Sequence, residues 1–153
     1  MKYVSLFLWI AVFEAISMAL GLETRNNIPG WYATLERPPL VPPNYIFPIM
    51  WTILYALIAA TGWHLWRTRT TTPKILPILF VAYMALNWSW THVFFGMHLL
   101  LAGLIWIAAM NAIAIVFIKL SWKDCPLASK LMIAPTLWTF FAMYLNAGYW
   151  YLN

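Results

Sequence analysis

Charged side chains are scarce in this chain. Lys, Arg, Asp and Glu together make up 8% of its 153 residues, whereas hydrophobic residues make up 64%. Soluble domains usually carry about 25% charged residues. The composition therefore excludes an ordinary soluble protein and predicts an integral membrane protein. The length fits one domain covering residues 1–153.

Residues that form disulfides or bind metals are also few. The one cysteine, Cys125, excludes an intrachain disulfide, and no His/Cys cluster has the spacing of a zinc site. His64, His92 and His98 could suggest haem ligation, but two of them fall at predicted helix ends and His92 lies off the predicted pocket face. We interpret all three as interfacial polar residues and predict no metal and no cofactor.

Five apolar runs are present, each close to the roughly 20 residues that a bilayer span needs. The predicted helices cover residues 3–22, 45–66, 75–95, 99–120 and 131–151. The first run could instead be a signal peptide ending near Ser17-Met18-Ala19, but Trp9 and Glu14 inside it favour a retained helix. The predicted fold class is an all-α integral membrane protein, a bundle of five transmembrane helices with a long Pro/Trp-rich first loop.

The basic residues predict an orientation. The net charge of +5 could suggest nucleic acid, but Lys and Arg lie in short loops between apolar runs. Seven of them fall on the side of the N-terminus and the second and fourth loops, and only Arg25 and Arg37 fall on the other. The positive-inside rule then predicts a cytoplasmic N-terminus and an external C-terminus, and it explains the basic residues without a nucleic-acid partner. The short tail and the lack of a leader or transit peptide favour a prokaryotic inner membrane.

The first loop, residues 23–44, is rich in proline. Prolines 38, 39, 42 and 43 each lack a backbone donor and forbid a continuous helix. The loop runs directly into the second apolar segment, so we expect it to form a lid at one end of that helix.

Aromatic residues follow helical spacing on three of the predicted helices. These faces carry Trp51 and Tyr55; Asn87, Trp90, Thr91 and Phe94; and Trp138, Ala142 and Leu145. Apolar walls with few polar groups are typical of a pocket for a large, flat ligand. The alternative is that these tryptophans only pack the bundle or lie at the headgroups.

Polar residues inside the predicted spans are rare. Glu14 either contacts a ligand or proton, or hydrogen-bonds to a neighbouring helix. Ala108 and Ala112 offer a small-residue face for another helix, and hence a possible homodimer seam.

Four motifs together resemble the translocator protein, or tryptophan-rich sensory protein (TspO/MBR), family. They are Trp31-Tyr32 with Leu35, Arg37-Pro38, Pro42-Pro43, Phe47 and Trp51-x-x-Leu54-Tyr55; Asn87-x-x-Trp90-x-x-x-Phe94-Phe95-Gly96; Pro126-Leu127-Ala128-x-Lys130-Leu131; and Pro135-x-x-Trp138-x-x-x-Ala142-x-x-Leu145-Asn146. The resemblance implies five helices, a homodimer, and a pocket beneath the first loop that binds porphyrins as ligands rather than cofactors. The implied pocket contains Tyr32 on the loop, Trp51, Asn87, Trp90, Trp138 and Ala142. A eukaryotic member would lie in the mitochondrial outer membrane.

The chain departs from the family pattern at several positions. Pro39, Leu40 and Tyr45 stand where tryptophan is usual, and Thr136 where tyrosine is usual. The lid and the ligand preference are therefore expected to differ. Residues 144–153 contain no Lys or Arg, so the proposed aromatic-plus-basic sterol motif is absent.

Three functions are compatible with these features. The leading hypothesis is a membrane receptor or sensor that binds tetrapyrroles or other hydrophobic ligands in an aromatic pocket. The second is an enzyme that degrades porphyrin in light. The sequence shows no conventional set of catalytic groups, but redox chemistry at a tryptophan does not require a recognisable motif. The third is passive transport or escort of porphyrin or sterol, without the charge relays of coupled carriers.

Overall fold

Five long helices make up most of the part of the chain that the structure describes. The computed structural model describes residues 2–153, apart from the side chain of Lys2. The helices are α1 (Lys2–Asn27), α2 (Ile46–Arg67), α3 (Ile75–Thr91), α4 (Leu100–Asp124) and α5 (Pro126–Leu152). A π-helical turn continues α1 over Ile28–Tyr32, and another continues α3 over His92–Gly96. All five helices are long and apolar enough to cross a bilayer, which confirms the predicted fold class.

The helices pack as a bundle in which α5 contacts both α4 and α2, and α3 contacts α4. Residues 33–45, the α3–α4 junction and the C-terminus share one end, which we call the loop-one end. The opposite end, called the loop-two end, carries the basic residues Arg67, Arg69, Lys74, Lys119, Lys123 and Lys130. The structure therefore separates these cations from Arg25 and Arg37, as the loop counts predicted.

The first half of α1 packs against α2 and α3. The Trp63 indole donates to Ser5 Oγ at 3.0 Å, and the Phe13 ring lies 5.7 Å from the Trp88 ring. Trp9 and Phe80 occupy the space that a side chain at Gly62 would need, so glycine is required where α1 and α3 meet α2. The second half of α1 lines a cavity.

The first loop is shorter than predicted. The loop is predicted to begin at residue 23 because the apolar run ends at Leu22, but α1 continues through Asn27 and its π-helical turn ends at Tyr32. Asn27 Nδ2 donates to the Glu23 carbonyl at 2.9 Å, which stabilises this last turn. Gly30 has dihedral angles outside the helical region, φ −97° and ψ −109°, and bends the chain there. The length of an apolar run predicts which residues cross the bilayer, but the helix can continue beyond them.

The fourth loop, predicted over residues 119–130, is also shorter. Only Cys125 separates α4 from α5. Polar residues such as Ser121 extend α4 beyond the apolar span, and Pro126 stands at the first position of α5, where its missing N–H costs nothing. Ser121 and Ser129 join their hydroxyls at 2.6 Å across this junction.

A buried polar pair joins α4 and α5. The Thr139 hydroxyl donates to Asn111 Oδ1 at 2.5 Å, and Asn111 Nδ2 donates to the Thr139 carbonyl at 3.3 Å. The carbonyl oxygen and the amino group of the Asn111 side chain are thus both hydrogen-bonded inside the bundle, which explains how Asn111 is tolerated in an apolar span. Ala108 and Ala112 are exposed on the outer face of α4, so the homodimer seam stays a prediction.

Candidate ligand-binding cavity

A cavity of about 580 Å³ opens between the helices near the loop-one end. This volume lies within the range of about 300–1,000 Å³ usual for small-molecule sites. Its walls come from the second half of α1, the first half of α2, the last turns of α3 and the second half of α5. Aromatic side chains dominate these walls, among them Phe47, Trp51, Trp90 and Trp138.

The residues predicted from the sequence meet around this cavity. All of them line it: Tyr32, Trp51, Tyr55, Asn87, Trp90, Phe94, Trp138, Ala142 and Leu145. Helical spacing placed them on single faces, and the packing of α2, α3 and α5 turns those faces toward one another. Their contact with a ligand stays a prediction.

Asn87 has partners inside the bundle. The Tyr55 hydroxyl donates to Asn87 Oδ1 at 2.6 Å, and Asn87 Nδ2 contacts Met110 Sδ at 3.5 Å. Sulfur is a weak acceptor. The carbonyl side of the amide is therefore satisfied by the wall itself, while the amino side keeps donor capacity.

Other polar atoms in the cavity wall have no partner. Among the described residues, no hydrogen bond is made by Trp90 Nε1, Trp138 Nε1, Asn146 Oδ1 or Glu14 Oε1, although all four atoms are buried. Unpaired polar atoms in an apolar environment are costly. Two indole donors and two oxygen atoms are thus left without a partner, and a ligand could reach them only if neighbouring side chains moved. Neither open interpretation of Glu14 is decided, because the residue lines the cavity and its buried Oε1 has no hydrogen-bond partner.

Tyr32 is not on the loop, as the resemblance had implied, but in the π-helical turn that follows α1. Its side chain is buried, and its hydroxyl lies 2.6 Å from that of Tyr149 on α5. Its ring packs against Phe94 and Phe95 at centroid distances of 6.5 and 5.4 Å. Tyr32 therefore forms part of the wall at the loop-one end rather than a movable lid.

The remaining loop is attached to the end of α5. The Glu36 N–H donates to Asn153 Oδ1 at 2.8 Å, and Asn153 Nδ2 donates to the Glu36 carbonyl at 3.1 Å. The Tyr144 hydroxyl donates to the Pro39 carbonyl at 3.1 Å. Pro38 is buried against Gly148, where a side chain on α5 would collide with its ring.

Only one of the four departures from the family pattern reaches the cavity. Tyr45 lines it, whereas Leu40 is 78% exposed and Pro39 contributes a carbonyl to the loop attachment. Thr136 is buried and donates to the Met132 carbonyl at 2.7 Å. An effect on the ligand is therefore expected from Tyr45 alone.

The wall that α1 provides was not predicted from the sequence, although Glu14 was considered as a ligand contact. Its cavity-facing residues include Glu14, Ser17, Gly21, Thr24 and Arg25. The signal was present, because these positions follow the 0, 3, 7, 10, 11 spacing of one helical face. It was overlooked because the polar residues after Gly21 were assigned to a loop. Tyr149, also missed, continues the α5 face one turn beyond Leu145.

The histidines lie outside the cavity wall. His92 Nδ1 contacts Glu23 Oε1 at 2.9 Å, which ties the π-helical turn after α3 to the end of α1. His98 stacks on Trp31 with ring centroids 4.2 Å apart, and its Nε2 lies 3.2 Å from Asn27 Oδ1. These interfacial contacts place both histidines in structural roles at the loop-one end.

Comparison with known proteins identifies the family. A sequence profile of the TspO/MBR family matches residues 8–152. The chain belongs to the TspO/MBR family. This TspO/MBR chain is 31% identical to the tryptophan-rich protein TspO of Archaeoglobus fulgidus, over 100% of this chain and 99% of the relative.

Two further relatives come from other groups of organisms. The translocator protein of Sus scrofa is 27% identical over 145 residues, covering 90% of this chain and 86% of its own. The tryptophan-rich sensory protein of Cereibacter sphaeroides is 29% identical over 118 residues, covering 77% of this chain and 61% of its own. The resemblance found in the four motifs is confirmed, and this TspO/MBR member is an integral membrane protein.

Proposed function

We propose that this TspO/MBR protein is a membrane receptor or sensor that binds a tetrapyrrole of the protoporphyrin type in the cavity near the loop-one end. The observation that carries the proposal is the cavity itself, which is walled by aromatic rings and retains unpaired polar atoms. Flat apolar ligands gain from ring stacking and from burial, and a few polar contacts fix their orientation.

The aromatic walls suit a flat macrocycle. The Trp138 ring lies 6.1 Å from that of Phe47 in an edge-to-face contact, and the Trp51 ring lies 5.6 Å from that of Tyr55. Trp51 and Trp138 thus stand on different helices around one space. The indole N–H of Trp138 is buried and has no hydrogen-bond partner in the wall.

The names of relatives agree with a receptor role. One is called a sensory protein and another a translocator protein. A sensor requires a site that recognises a small molecule, and a translocator requires a site that holds one. The cavity would serve either purpose, and binding is the step that both share.

Quenching of tryptophan fluorescence by protoporphyrin in an uncharged detergent tests the proposal. We expect saturable quenching by the purified protein. Trp51→Ala should weaken the affinity about 30-fold or more, because truncating a central aromatic anchor costs about 2 kcal/mol or more. Gly21→Leu should weaken it as well, since a side chain at this lining position would enter open space.

Trp122→Ala is the matched control. This tryptophan is 53% exposed and lies on α4, outside the cavity wall. Its loss should lower the total fluorescence without changing the affinity. If all variants gave the same unsaturable quenching, the porphyrin would only be partitioning into the micelle, and the proposal would be wrong.

A further inference from the structure

The face that α1 presents to the cavity carries charge at both ends. Glu14 and Arg25 are the acidic and basic residues of the cavity wall. They are 11 residues apart, which is three helical turns, so they share a face and are separated by about 16 Å along the axis. Ser17, Gly21 and Thr24 lie between them on that face.

Arg25 is available for a ligand. It stands at the loop-one end of the wall, is exposed, and makes no ion pair or hydrogen bond with any side chain that the structure describes. Nearby Glu23 is engaged by His92 at 2.9 Å instead. A guanidinium is a preferred partner for carboxylates, which it can bind through two parallel hydrogen bonds.

The inner part of the wall has the opposite chemistry. Glu14 Oε1 is buried and unpaired, about three turns further into the span than Arg25. A ligand carboxylate placed there would face a carboxyl oxygen in an apolar environment, which is unfavourable. The ligand is therefore favoured to place an acidic edge beside Arg25 and an uncharged edge beside Glu14.

We propose that Arg25 binds the carboxylate of the ligand at the loop-one end, and that α1 thereby selects an acidic, amphipathic ligand and fixes its direction in the cavity. This inference rests on the proposed binding of a flat ligand and adds its charge and orientation. Protoporphyrin has the required chemistry, because its propionates lie on one edge of an apolar ring.

The test compares protoporphyrin with its dimethyl ester, which keeps the ring but removes both negative charges. Binding is measured by fluorescence quenching in an uncharged detergent, so that no lipid phosphate competes for the guanidinium. The wild type should bind the acid several-fold more tightly than the ester. Arg25→Gln should weaken binding of the acid about three- to ten-fold, the range for a partly exposed charged contact, and leave the ester unchanged.

Arg37→Gln is the matched control. Arg37 is the other arginine of the loop-one end and is exposed, but it does not line the cavity. An effect of overall surface charge would lower the affinity for the acid equally in both variants and would overturn the proposal. Equal losses for acid and ester in Arg25→Gln would overturn it too. If neither compound bound saturably to the wild type, the proposed function itself would fail.

Glu14→Gln tests the direction of the ligand. The variant keeps an oxygen acceptor but cannot carry negative charge. Because the proposed acidic edge lies about three turns away from Glu14, the affinities for the acid and for the ester should change by the same factor. A rise in affinity for the acid alone would show that a carboxylate lies beside Glu14, which contradicts the proposed orientation.

Discussion

The hydroxyl pair of Tyr32 and Tyr149 joins residues that are 117 positions apart in the chain. It connects the π-helical turn after α1 to the last turns of α5, and both side chains are buried. A buried hydroxyl that loses its partner is costly, by about 1–3 kcal/mol. This single contact therefore contributes to closing the loop-one end of the cavity.

A double-mutant cycle measures that contact. Tyr32→Phe and Tyr149→Phe should each lower the free energy of unfolding by about 1–3 kcal/mol, because each leaves the other hydroxyl unpaired. The double variant should lose clearly less than the sum, since it leaves neither hydroxyl behind. Denaturant titration in detergent gives the values.

Tyr151→Phe serves as the control for the cycle, because Tyr151 is 82% exposed and its hydroxyl can reach water. Its free energy of unfolding should match that of the wild type. Strictly additive losses in Tyr32→Phe and Tyr149→Phe would mean that the two hydroxyls do not depend on each other.

Most of each helix could be predicted from the sequence, but the residues at which the helices begin and end could not. Apolar length identifies a span because the bilayer fixes it. Polar residues beyond the span can still be helical, as Glu23 and Asn27 are in α1, because main-chain hydrogen bonds do not require a membrane. The contact of Glu23 with His92 in the π-helical turn after α3 supports this extension, and no pattern within α1 predicts that contact.

The attachment of the first loop to α5 can be tested at Gly148. A methyl group there would collide with Pro38, so Gly148→Ala should push the loop away from α5. The hydrogen bond from the Glu36 N–H to Asn153 should then weaken, and hydrogen exchange at that amide should become at least several-fold faster. Mass spectrometry of the loop peptide would measure it.

Gly21→Ala is the matched control for this element, because the same substitution in α1 meets no atom within 4 Å. Exchange in the first loop should be unaffected by it. Unchanged exchange in Gly148→Ala would show that Pro38 can move aside without loss of the loop attachment.

At the scale of the whole molecule, the candidate site was predicted wherever its faces were aromatic. Trp51, Asn87 and Trp138 were found because residues spaced by three or four positions share a helical face. To predict the wall from α1, one would have to know that this helix extends to Asn27. To predict the pairing of Tyr32 with Tyr149, one would have to know the tertiary contacts. Residue spacing shows which side chains share a face of one helix, whereas the packing of the helices decides which faces meet.

Membrane orientation is the remaining whole-molecule prediction. The cations at the loop-two end predict that this end is cytoplasmic and that the loop-one end faces outward. Ala33 and Thr70 are exposed positions at the two opposite ends, and the natural Cys125 is buried. In intact bacterial cells, a membrane-impermeant maleimide should label Ala33→Cys but should label Thr70→Cys only after permeabilisation. The unsubstituted chain controls for Cys125, and the reverse labelling pattern would show that the protein inserts the other way round, with the cavity end inside the cell.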